Sequence, residues 1–151
     1  MIKAKNKKEG FTLIEILVVI GIIAVLAAVV LVAINPARQF KLARDSQRMS
    51  NVTAILNAVG QNIAEHRGIF SCGTLSLPAT TTIIASGTTA DIAGCLIPNY
   101  ISAIPFDPGI SGAKFNSLSD YDTKYSVFQN SLGAVTVSAS GEITSPISVT
   151  R

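Results

Sequence analysis

Between Phe11 and Ile34 the chain runs for 24 residues in which Glu15 is the only charged side chain. As a helix rising about 1.5 Å per residue, that run is about 36 Å long, enough to cross the roughly 30 Å hydrocarbon core of a bilayer. No other stretch limits the fold as much. A run of this length crosses a membrane, is cut away, or packs against apolar partners. Lys3, Lys5, Lys7 and Lys8 precede it, and no comparable basic cluster follows at once. That bias keeps the N-terminus cytoplasmic and sends the rest of the chain to the other side. The same lysines, offset by Glu9, account for the formal charge of +3, because residues 11–151 hold eight basic and eight acidic side chains. A neutral remainder argues against bulk electrostatic binding of nucleic acid.

Glu15 decides between the uses of such a run. A removable secretory signal, with Val25-Leu26-Ala27 as its cut, leaves an apolar stretch beyond the cut and has no use for the acid. A plain single-pass anchor fits the length and has no use for it either. A carboxylate in the middle of a bilayer costs about 2.5–3.5 kcal/mol, less toward one end, and intramembrane acids mark a partner or a pathway. Glu15 calls for a positive partner. Snorkelling of the acid to the headgroups is the plainer alternative.

Lys7-Lys8-Glu9-Gly10 followed by Phe11-Thr12-Leu13-Ile14-Glu15 resembles the signal of type IV pilins and type II secretion pseudopilins. The resemblance implies a cut between Gly10 and Phe11 by a prepilin peptidase, and N-methylation of the new terminus at Phe11. It also implies that Glu15 pairs with the α-amino group of Phe11 from a neighbouring subunit. Pairing removes most of the cost that each charge would carry alone in lipid, and it fixes axial register. The implied product is a helical polymer of this chain with related minor pilins or pseudopilins, built on an inner-membrane assembly platform. The subunit waits in the membrane lipid, with its head outside, and ends in an extracellular pilus or a periplasmic pseudopilus. DNA is a partner only for a competence pilin. The helix-perturbing proline that the family often carries near its new terminus is absent here before Pro36.

Pro36 is expected to disturb the helix, and Gly21 is a second weak point. Beyond it, Val52, Ile55, Leu56, Val59 and Ile63 form one apolar stripe, the side a sheet would cover. Arg38, Lys41, Arg44 and Arg48 are candidates for lipid headgroups, for acids on adjacent subunits, or for a solvated face. The helix should end near His66-Arg67-Gly68. From there the chain is rich in Ser, Thr and Gly. Lys124–Gln129 and Ala134–Ala139 read as strands around an Asn130–Gly133 turn, and Ile143–Thr150 as an edge strand limited by Pro146. The expectation is an α+β fold, one long helix on a small antiparallel sheet. Its parts are a leader at 1–10, a membrane and assembly helix at 11–35, an amphipathic continuation at 36–68 and a globular head at 69–151.

Cys72 and Cys95, the only cysteines, read as a disulfide in an exported domain. Two cysteines and one histidine lack the ligand spacing of a zinc site. Ile104-Pro105-Phe106-Asp107-Pro108 is similar to the stretch before the sheet in pseudopilins, whose major members bind calcium nearby. Asp107, Asp120 and Asp122 are therefore candidate oxygen ligands for calcium, although turns favour aspartate in any case. His66 stands alone as a titratable imidazole beside Glu65, and no nucleophile or phosphate-loop motif is present. The expectation is a structural protein without a cofactor, not an enzyme.

Overall fold

A computed structural model describes residues 10–151, so the lysine-rich leader lies outside the described residues except for Gly10. The chain forms two compact units, one ending at Gln39 and one from Phe40 to Arg151. In the first, helix α1 spans Leu13–Ile34, and none of its side chains is buried. It runs unbroken through Gly21. It is also long and apolar enough to cross a membrane, the one such helix among the described residues.

The disturbance expected at Pro36 is a full stop. Asn35 closes α1 in the left-handed conformation, φ 48°. Helix α2 then opens at Pro36 and continues to Glu65. Proline suits a first helical position, where its missing N–H has no acceptor to lose. The Asn35 side-chain oxygen accepts from the Arg38 N–H at 3.3 Å, so one residue ends one helix and caps the next. At the far end the left-handed position is taken by Arg67, φ 59°, with Gly68 after it. The Gly68 N–H donates to the Ile63 carbonyl at 2.9 Å, the long bond of a Schellman close.

In the second unit α2 carries the expected stripe. Val52, Ile55, Leu56 and Val59 are buried and Ile63 packs against the same core. Facing it is a five-stranded antiparallel sheet in the order β1-β3-β4-β5, with β2 on the start of β3. These strands are Thr82–Ala85, Lys114–Ser117, Asp120–Gln129, Val135–Ala139 and Ile147–Thr150 for β1 to β5. Alternation sends Tyr121, Thr123, Tyr125 and Val127 of β3 inward, joined by Val135, Val137 and Ala139 of β4. The β3–β4 hairpin turns at Asn130–Gly133, where the Asn130 side chain accepts from the N–H groups of Leu132 and Ala134 at 2.9 Å. The edge strand is shorter than expected: it starts at Ile147, after Pro146. Strands β1 and β2 have no counterpart in the sequence reading. The short helix α3, Ala93–Leu96, sits beyond β1. Cys95 lies within it and is joined to Cys72, with their Cα atoms 5.3 Å apart.

Candidate functional site

The residues around the expected cut form a compact helix start. Thr12, extended at φ −81°, ψ 150°, is the N-cap of α1, and Glu15 occupies the third helical position. Glu15 N–H donates to Thr12 Oγ1 at 3.3 Å, while Thr12 N–H and Thr12 Oγ1 both donate to Glu15 Oε2 at 2.8 Å. This is a capping box, which satisfies two helix N–H groups that otherwise lack partners. The negative carboxylate also complements the positive end of the helix dipole. Glu15 Oε1 accepts no hydrogen bond among the described residues. Phe11, one residue ahead, is exposed, as is Gly10. Thr12 had no role in the sequence reading, although Thr-x-x-Glu ahead of an apolar run is the signature of such a cap.

The four basic residues at the start of α2 separate into two classes. Arg48 is buried and grips Asp107 with both arms, Nε to Oδ2 at 2.7 Å and Nη2 to Oδ1 at 2.9 Å. Its Nη1 donates to Asp45 at 2.7 Å and to Glu142 at 3.0 Å. Arg44 donates two bonds of 2.6 Å to Glu142. Asp45 in turn accepts from the N–H groups of Glu142, Ile143 and Thr144. Two loops, one around residues 105–110 and one around 140–144, are thereby tied to one turn of α2. A cleft of about 300 Å³ lies over this knot, lined by Arg44, Arg48, Gly109 and Glu142 among others. Arg38 and Lys41, by contrast, are exposed.

The network sets the protonation of its members. The Glu142 N–H above all, then the N–H groups of Ile143 and Thr144, hold Asp45 far below the usual carboxylate range against the effect of burial. Hydrogen bonds from Arg44 and then Arg48 bring Glu142 down to about 2. Burial pushes Asp107 up, but Arg48 and the amides of Gly109 and Ile110 outweigh it and leave its pKa lowered. Arg48 is held protonated first by Asp107.

The three carboxylates expected as calcium ligands do not come together. Both oxygens of Asp107 are engaged by Arg48, an internal cation that takes the part a metal would play. Asp120 and Asp122 are engaged by Lys114 and Asn116, and by Lys124. No group of three metal-ligating side chains occurs among the described residues. His66 closes the last turn of α2, its Nδ1 donating to the Asn62 carbonyl at 2.7 Å.

Residues 5–31 match the family model of the prokaryotic N-terminal methylation motif. No curated protein and no solved structure matches the chain. The matched residues run from the lysines through the Gly10–Phe11 junction and the capping box into α1. They carry the signature found in type IV pilins and pseudopilins, and the match covers this N-terminal segment alone.

Proposed function

We propose that the chain is a structural subunit of a type IV pilus filament, serving adhesion, motility or DNA uptake. A prepilin peptidase cuts it between Gly10 and Phe11 and methylates Phe11. The subunit waits as a single-pass membrane protein, its N-terminus cytoplasmic and its head outside. It then polymerises through α1, with Glu15 pairing to the Phe11 amine of a neighbouring copy. Head-to-tail contacts of this kind generate an open filament. One observation carries the reading: the methylation motif leads directly into an apolar helix with no buried side chain and a carboxylate in its first turn. An unused Oε1 at that carboxylate is consistent with a cationic partner from outside the chain. The Cys72–Cys95 bridge supports a pilin. The second reading, a pseudopilin of a type II secretion system, is favoured by the Ile104–Gly109 segment, whose similarity to pseudopilins was noted above.

Two measurements test the proposal. Mass spectrometry of the mature chain should give an N-terminus at methylated Phe11; an intact Met1 or a start near Ala28 would sink it. Replacing Glu15 with Ala should abolish sheared filaments while the subunit still reaches the membrane. Normal filaments from that variant would show that the pairing is wrong and would favour a monomeric membrane-anchored binding module.

A further inference from the structure

The head uses two of the four basic side chains at the start of α2 and leaves two. Arg44 and Arg48 are engaged by Glu142, Asp107 and Asp45. Arg38 and Lys41 are exposed and have no charged partner among the described residues. Three residues apart on one helix, they are neighbours on its surface. Phe40 stands beside Lys41 with 66 % of its surface exposed. The chain offers these two cations no acid among the described residues. The phosphates of an anionic lipid surface complement them in charge.

Chain length sets the reach. Arg38 follows Ile34 by four residues and Lys41 by seven. Whichever way α2 runs from Asn35, they stay within about 12 and 16 Å of the end of the span. The polar layer beyond the hydrocarbon is about 5–8 Å thick on each side. Long basic side chains bend back over that distance while their stems lie along apolar surface. We propose that Arg38 and Lys41 bind the phosphates of anionic phospholipids in the leaflet where α1 ends, with Phe40 in the interfacial layer. The contact belongs to the unassembled subunit, and it rests on the reading of α1 as a membrane span.

The chain has no tryptophan, so Phe40→Trp places a single reporter at the site. The full chain is reconstituted in phosphatidylcholine vesicles with and without phosphatidylglycerol, using acyl chains brominated near the headgroup. With phosphatidylglycerol the Trp emission should shift to shorter wavelength and be quenched more strongly, and high salt should reverse both changes. Adding Arg38→Gln and Lys41→Gln should remove the phosphatidylglycerol response. No response in the starting protein, or one that survives the double substitution, overturns the proposal. Loss of cross-linking between copies in the double variant, with no lipid response in the starting protein, overturns it in favour of a second copy. A separate Leu26→Trp variant, tested with deeply brominated chains, keeps the two levels apart. If that Trp is not quenched, the span itself is wrong; if it is quenched and the Phe40→Trp reporter is silent, only the lipid contact is wrong.

Discussion

At the scale of single residues, Arg48 carries the most. It is the largest fully buried side chain of the head and the one charge that reaches Asp45, Asp107 and Glu142 together. Arg48→Met keeps the bulk and removes the charge, leaving Asp107 buried without its partner. Breaking one side of such a pair costs about 3–5 kcal/mol. Thermal melting of the detergent-solubilised chain should show a large fall for Arg48→Met and a smaller one for Arg44→Met, whose side chain is 35 % exposed. Equal effects would mean that burial is not what gives Arg48 its weight. The same network predicts an acid response. Asp45, Asp107 and Glu142 all have lowered pKa values in the folded head, Glu142 at about 2. Carboxylates depressed in this way stabilise the fold above their unfolded pKa of roughly 4 and lose that contribution as pH falls toward their folded values. The melting temperature should therefore hold from neutral pH to about 4 and drop below it, and the drop should shrink in Arg48→Met.

At the scale of elements, legibility followed chemistry. The apolar half of the α2 stripe was readable because Val52, Ile55, Leu56 and Val59 repeat at helical spacing. Its other half was not. Asp45, Arg48 and Asn51 continue the same buried face toward the start of the helix, but as polar residues they look like a solvated surface until their partners are known. Beyond the local Asp45–Arg48 pair, the deciding partners lie 55 or more positions away: Asp107 for Arg48, Phe106 for Asn51 and the Glu142 N–H for Asp45. No local pattern contains them, and for the same reason Asp107 looked like a metal ligand rather than the acceptor of an arginine. The hairpin at Asn130–Gly133 was legible because its turn chemistry is local. Strands β1 and β2 were not, since Thr82–Ala85 and Lys114–Ser117 are four residues each and are defined by pairing with β3. Two changes probe these elements. A Cβ at Gly141 would sit 1.9 Å from the Thr144 carbonyl oxygen, inside the loop that Asp45 holds. Gly141→Ala should force that loop open and cost about 1–3 kcal/mol in the melt. Cys72→Ser removes a bridge across 23 positions, worth about 3 kcal/mol in the chain-entropy model. It should lower the melting temperature of the oxidised chain and leave that of the fully reduced chain nearly unchanged.

At the scale of the whole molecule, the chain divides into two compact units. The head is held by its own core, disulfide and arginine knot, while α1 buries nothing within the chain. On the proposed function, folding of the head should therefore not depend on the cut between Gly10 and Phe11, and assembly should. In the uncut chain the Thr12 cap already engages Glu15 Oε2, and Phe11 nitrogen is still an amide of Gly10 rather than an amine. A pair between Glu15 and Phe11 of another copy needs the positive charge that only cleavage creates. Gly10→Val, which places a branched side chain at the junction, should block the cut. The uncut protein should then sit in the membrane fraction with the melting temperature of the parent head, and no sheared filaments should appear. If the blocked chain formed filaments, the amine would not be the partner of Glu15. If its head melted lower, the stability of the head would depend on the residues ahead of Phe11.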